Sequence, residues 1–263
     1  MLAVIIGISA WKLSAREPAI RSAATPAPTN EAVTSAAPIP SAVDGETVDG
    51  FKYRIENDEA AIIGYTGSEK ELVIPDRIGR LPVTAIGYEA FRNCRLLTSV
   101  TIPDGVTTIE SDAFSGCSSL KSVNIPNGVT EIRPCTFSDC CLLTSVNIPN
   151  GVTEIGFRAF SYCRLLTSVT IPDNVTTIES STFSGCSSLT DIVISNNVTT
   201  IESSAFSDCS SLTNITIHEG VTEIDDFAFY LCDSLTTVKY SGTEAQWAAI
   251  SDGFPAGVTV VYT

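Results

Sequence analysis

LTSVTIPDGVTTIESDAFSGCSS, from Leu97 to Ser119, is followed without a gap by five variants of itself, the last ending at Ser234. Leucine returns every 23 residues, at Leu97, Leu120, Leu143, Leu166, Leu189, Leu212 and Leu235. Phenylalanine keeps step at Phe91, Phe114, Phe137, Phe160, Phe183, Phe206 and Phe229, and cysteine at Cys94, Cys117, Cys140, Cys163, Cys186, Cys209 and Cys232. A domain with one central core has no use for such a period. A stack of coils does, because each coil must present the same groups to the coils above and below it.

Within a unit, Val100 and Ile102 alternate with Ser99 and Thr101, which predicts a half-buried strand. Pro103 cannot continue its ladder. Asp104-Gly105 then turns the chain, as do Asn127-Gly128, Asn150-Gly151, Asp173-Asn174 and Asn196-Asn197 in later copies. Val106 to Ile109 predicts a second short strand. Asp112 to Cys117 brings Ala113, Phe114 and Cys117 inward at a spacing that suits a short helical turn. Stacking places equivalent residues about 4.8 Å apart, so the Phe column fills the interior opposite the main strands.

Both ends break the pattern as caps should. Upstream, Leu72-Val73-Ile74-Pro75 opens a first coil lengthened around Gly79-Arg80-Leu81-Pro82. Before it, Phe51, Tyr53 and Ile55 alternate with charged residues, and Asn57-Asp58-Glu59 leads to Ala61, Ile63 and Tyr65, which predicts a covering hairpin. Downstream, Thr243 with Gln246 has the capping-box spacing of a helix start, presenting Ala245, Trp247, Ala248 and Ile250. Val258 to Tyr262 adds a last strand. The two caps are expected to cover the edge strands of the stack.

The chain therefore divides into an apolar segment (1–14), an Ala/Pro/Ser/Thr-rich flexible linker (15–46), the N-terminal cap and first coil (47–96), six repeats (97–234) and a C-terminal cap (235–263). The apolar segment has two readings. It is the remnant of a signal peptide or anchor that starts upstream of Met1, or an apolar end of a cytosolic protein. An apolar run followed directly by such a stalk favours the former.

Seven of the nine cysteines fall in one column, with Cys135 and Cys141 outside it. Equivalent side chains in successive coils point in parallel, which is poor disulfide geometry. A single column also cannot converge on a metal ion. The column reads as small buried groups with inert thiols.

The unit L-x-x-V-x-I-P-x-G-V-T-x-I-x-x-x-A-F-x-x-C-x-x resembles the BspA-type leucine-rich repeat. Residues 50–91 resemble the usual start of such arrays, and YSGTEAQWAAI at 240–250 is similar to their usual end. The resemblance implies an α/β solenoid: a right-handed leucine-rich repeat horseshoe of 23-residue coils, with an N-terminal β-hairpin cap and a C-terminal helix/strand cap. Strands of the Leu97–Ile102 class would lie on its concave side. It also implies a surface protein of the adhesin kind, and brings no catalytic residues with it.

The residues themselves offer no catalytic, cofactor or metal site. The single histidine, His218, takes the Pro slot after Ile217, where it is expected exposed at a strand exit. Serines are abundant, yet G-x-S-x-G is missing, as are phosphate-binding glycine loops. Glu110, Glu131, Glu154, Glu179 and Glu202 recur as a solvated face. The formal net charge is −15; residues 1–46 hold three basic and four acidic groups, so the folded part carries about −14. That disfavours nucleic acid, which needs clustered Lys and Arg, and direct contact with an anionic membrane.

What remains is a protein partner met by a monomer on an outward face. One outward column of the main sheet reads Thr101, Asn124, Asn147, Thr170, Val193, Thr216, Lys239, and its neighbour Ser99, Ser122, Ser145, Ser168, Asp191, Asn214, Thr237. The columns leave their short polar texture in the later units, so Ser168, Thr170, Asp191, Val193, Asn214 and Thr216 form the candidate protein-binding face. The predicted function is a non-enzymatic binding or adhesion module at the cell surface or secreted. An intracellular scaffold and a structural spacer are the alternatives.

Overall fold

The computed structural model describes residues 43–263 apart from 48 and 256. The apolar segment 1–14 and stalk residues 15–42 lie outside the described residues. In chain order the strands are β1 (Val43–Glu46), β2 (Phe51–Glu56), β3 (Glu59–Tyr65), β4 (Glu71–Val73), β5 (Arg77–Ile78), β6 (Leu81–Ile86), β7 (Ser99–Thr101), β8 (Thr108–Ile109), β9 (Ser122–Asn124), β10 (Glu131–Ile132), β11 (Ser145–Asn147), β12 (Glu154–Ile155), β13 (Thr177–Ile178), β14 (Asp191–Val193), β15 (Thr200–Ile201), β16 (Asn214–Ile217), β17 (Glu223–Ile224) and β18 (Thr237–Tyr240). Helix α1 (Glu244–Ile250), a 3-10 turn at Ser251–Gly253 and β19 (Thr259–Tyr262) close the chain.

The period sets the register. Ser99 pairs with Ser122 and Ser122 with Ser145; later, Asp191 pairs with Asn214, Asn214 with Thr237, and Thr237 with Thr259. The main sheet thus stacks in parallel as β4, β7, β9, β11 and as β14, β16, β18, β19. The short second strands stack likewise, from β6 and β8 to β17. At the corner between them, the N–H of Val106 donates to Pro103 O at 3.0 Å, and Val129, Val152 and Val175 repeat that turn. The result is a β-solenoid of about nine turns.

The arc is a succession of tight turns instead of the helical turn its spacing predicts. Its alternate N–H groups leave the coil: Asp112, Phe114 and Gly116 donate to Pro134 O, Thr136 O and Ser138 O of the next coil. The intervening N–H groups close turns at home, as from Ala113 to Glu110 O and from Cys117 to Phe114 O. Two left-handed residues per arc make this possible, Asp112 and Gly116 (φ 58° and 72°) recurring as Cys135 and Asp139, Arg158 and Tyr162, Ser181 and Gly185. The arc is therefore a third hydrogen-bonded wall.

Phe91 to Phe229 form a column of near-parallel rings with centroids 5.1 to 5.6 Å apart. Each such pair is worth about 0.5–1.5 kcal/mol beyond burial. Both caps extend the column. Tyr65 lies 5.8 Å from Phe91, and Phe254 stacks on Phe229 at 4.4 Å. Beside it run the thiols: Cys117, Cys140, Cys163, Cys186, Cys209 and Cys232 each point Sγ at the Phe carbonyl of the preceding coil, 3.1 to 3.4 Å away. All nine cysteines are free, and Cys94 is half-buried. A weak S–H donor on a compact apolar residue suits a slot that adjoins a carbonyl. Threonine plays the same part outside, as Thr144 Oγ1 donates to Lys121 O and Thr213 Oγ1 to Thr190 O.

The caps differ from expectation in detail. Val43–Glu46, expected within the linker, is an edge strand antiparallel to β2, held by an Arg54–Asp44 pair at 2.7 Å. The β2–β3 hairpin turns through Asn57 and Asp58, both left-handed at φ 53° and 61°. Ala60 and Ile62 are buried, instead of Ala61 and Ile63, because a bulge opposite Lys52 and Tyr53 shifts the alternation before Tyr65. The hairpin also joins the second-strand stack through β3–β6, so it does not cover β4, which is left as an edge of the main sheet. The insertion forms an antiparallel β5–β6 turn at Gly79. In the other cap, α1 starts with the full capping box of Thr243 and Gln246; Ile250 is buried and Trp247 half-buried, while Ala245 and Ala248 are exposed.

Candidate protein-binding face

The outward columns stand on a rigid frame. Val123, Ile192, Ile215 and Val238 point inward and are buried, which forces their neighbours on each strand to point out. Ser168, Thr170, Asp191 and Val193 are exposed, and Asn214 and Thr216 half-buried. All six lie on the same wall in consecutive coils. Asp191 and Asn214 are joined: Asn214 Nδ2 donates to Asp191 Oδ1 at 3.1 Å and to Thr213 Oγ1 at 2.9 Å. Val193 is 64% exposed, so this polar face carries an apolar point at its centre.

The wall is interrupted where these residues meet. Ser168 to Ile171 form no ladder, although their sequence Ser-Val-Thr-Ile is the one that forms β7 in the first unit. The last contacts before the gap are long, 3.4 Å from Thr167 N to Thr144 O and 3.5 Å from Thr190 N to Thr167 O. A groove of about 350 Å³ opens between that segment and β14, lined by Thr170, Ile171, Asp173, Asp191, Val193 and Ser195 among others. Ser195 replaces the corner proline of earlier units; its Oγ is buried and has no hydrogen-bond partner. The groove thus presents three outward polar side chains (Thr170, Asp173 and Asp191), one exposed valine and one unpaired hydroxyl.

Other singled-out residues fall elsewhere. His218 is half-buried, not exposed: Nδ1 accepts from Gly220 N–H at 3.0 Å, and Nε2 is enclosed without a partner. Its ring folds back because Gly220 leaves space where a Cβ would stand 2.5 Å from Cε1. Glu179 is half-buried rather than solvated, and burial raises its carboxyl above the usual range, helped by Glu154 and Glu202 and opposed by the Phe157 N–H. Among the described residues no His, Cys, Asp or Glu cluster has metal-binding geometry, and no helix is long and apolar enough to cross a membrane. Asn174 and Asn197, each in an N-x-T triplet, use their side-chain amides on the carbonyls of Asn150 and Asp173.

Periodic reasoning missed a second cluster. Phe227, Tyr230 and Leu231 are exposed together on the arc of the last unit. The available signal was the replacement of Ser207 by Tyr230 at a position that is serine in all earlier units.

The family model for the BspA type leucine rich repeat region matches the chain in six copies, over residues 84–187 and 130–249. Among solved structures, the T. pallidum leucine rich repeat protein TpLRR is 26% identical with a TM-score of 0.68, over 81% of this chain and 98% of that one. A leucine-rich repeat protein from Bacteroides ovatus is 26% identical with a TM-score of 0.58, over 82% and 76% of the two chains. A leucine rich cell surface protein from Faecalibacterium prausnitzii is 22% identical with a TM-score of 0.50, over 82% and 99%, a likeness of fold alone. No curated protein matches the chain.

Proposed function

The chain belongs to the BspA-type leucine-rich repeat family, and from that membership we propose that it is a protein-binding or adhesion module displayed at the cell surface or secreted. The leucine-rich repeat fold is typically a non-enzymatic scaffold for binding other proteins. One observation carries the assignment of the face: the outward columns lose their Ser/Thr/Asn monotony where the main sheet opens between Thr170 and Asp191. Specific recognition needs something non-repeating to read, and an interrupted ladder with an unpaired Ser195 hydroxyl supplies it. Short flanking side chains let a partner approach closely. The face has no Trp, Tyr or Arg anchor of the kind that dominates tight interfaces, so each contact is weak and adhesion rests on several acting together.

The test replaces Asp191 with Lys and Val193 with Asp, both exposed on β14. Stability should change by no more than roughly 0.5 kcal/mol, as for exposed sites. Retention on immobilised extracellular-matrix proteins or on cells of other species should fall at least several-fold. Full retention with unchanged melting moves the site off this wall. Location is tested separately by proteolysis of intact cells: recovery of the chain solely from cytosol favours the intracellular scaffold, and lack of saturable binding favours the spacer.

A further inference from the structure

The arc of the sixth unit departs from its predecessors on the outside. Phe227 stands where units four and five have Ser181 and Ser204, and Leu231 where they have Gly185 and Asp208. Tyr230 stands where every earlier unit has serine. The interior has no need of these side chains, since Ala228, Phe229 and Cys232 already fill their columns. Phe227, Tyr230 and Leu231 are 59%, 54% and 46% exposed. Phe227 and Tyr230 meet edge to face at 5.7 Å. They border a groove of about 470 Å³ between the arc and the C-terminal cap, with Phe229, Phe254 and Pro255 in its lining.

The rest of that lining is acidic. Asp226, Asp233 and Asp252 are exposed around the groove, and none joins an ion pair among the described residues. Beyond Arg164 the sequence contains a single Lys or Arg, Lys239, and it stands on β18 of the main sheet. Among the described residues, an aromatic pair, a leucine and three carboxylates thus stand together without a paired counter-charge.

We propose that this groove docks a Lys- or Arg-bearing segment of a partner protein. The aliphatic stem of such a side chain covers apolar surface while its head stays polar. Phenyl and phenol faces attract the cation, and the three carboxylates surround its place. A second copy of this chain, itself at a net charge of −15, meets the groove with like charge over most of its surface. This site is independent of the main-sheet face, so either can fail without the other.

The experiment measures fluorescence anisotropy of a labelled nonapeptide of alternating arginine and serine, with a glutamate counterpart, against the full chain near physiological salt. Phe227→Ser with Tyr230→Ser restores residue types of earlier arcs, and Ser181 and Ser204 already hold the same left-handed backbone. This variant should melt as the parent does and bind the arginine peptide at least about tenfold more weakly. Asp233→Asn with Asp252→Asn should weaken binding similarly, and decides the matter alone if the first variant fails to fold. Asp58→Asn with Asp104→Asn, at two exposed positions in neither groove, removes equal charge elsewhere and should change binding less than about twofold. The glutamate peptide should not bind. Equal weakening by both aspartate pairs, or unchanged binding in the aromatic variant, overturns the proposal. So does self-association in sedimentation that vanishes in the aromatic variant while the peptide never binds.

Discussion

Phe160→Ala should divide the solenoid near its middle. Phe160 is fully buried, with Phe137 at 5.5 Å on one side and Phe183 at 5.6 Å on the other. Truncating a buried Phe costs about 3–5 kcal/mol, more when the site cannot collapse. Here collapse is opposed from both directions: Phe160 N–H is tied to Thr182 O, and Ala159 O accepts from Phe137 N–H. Two ring pairs are lost as well, which puts the expected cost near 4–5 kcal/mol. In a one-dimensional stack the loss falls on the interfaces of that unit with its neighbours. The adjoining segment, Ser168 to Ile171, already lacks a ladder. Urea unfolding followed by circular dichroism should therefore resolve into two steps. Hydrogen exchange read by mass spectrometry should rise first in units three and four, with both ends still protected. Phe160→Leu should keep one transition and lose about 1–2 kcal/mol. A single cooperative transition in Phe160→Ala with a loss under about 2 kcal/mol, or exchange raised evenly along the chain, would refute the reasoning.

Burial pushes the thiols of Cys117 and Cys186 up to about 12 and raises Cys140 and Cys163 well above the ordinary range; a hydrogen bond with Cys232, and then burial, does the same for Cys209. A thiol reagent at pH 8 should label the half-buried Cys94, Cys135 and Cys141 first, the others following at the rate of unfolding; mapping by peptide mass spectrometry checks the order. Because the folded thiols hold their protons to higher pH than the unfolded chain, stability from this source is complete below about pH 8.5. It should then fall by several kcal/mol in all by roughly pH 10.5 and keep falling toward 12, so a melting temperature flat across that range counts against the buried column. Gly185 is left-handed at φ +74°, and a Cβ there would stand 2.6 Å from the Tyr162 ring. Gly185→Ala should cost about 1–2 kcal/mol, and part of that should return in a Tyr162→Ser background in a double-mutant cycle.

Repetition made most of the architecture readable. One period yielded the coil, the Leu, Phe and Cys columns, and the cross-strand register that aligns Asp191 with Asn214. The arc was misread because its conformation answers to carbonyls of the next coil, which no local pattern reports. A clue was present in Asn93, Gly116, Asp139, Gly185 and Asp208, residues that accept the left-handed backbone readily. The gap at Ser168 to Ile171 could not be read at all, since those residues repeat Ser99 to Ile102 letter for letter. Ser168, Thr170, Asp191, Val193, Asn214 and Thr216 share one wall because outward positions follow from alternation. The Phe227 groove was overlooked for the opposite reason. It arises from a departure from the period where the last arc meets the cap.

Apart from the gap at Ser168 to Ile171, the bonds that join the coils in all three walls run along the solenoid axis. Tension applied between β1 and β19 therefore loads them end-on, peeling terminal turns in sequence in place of shearing every ladder at once. Each released 23-residue turn would pay out roughly 75 Å of chain at full extension. Such a body should yield stepwise under load and rewind when the load drops.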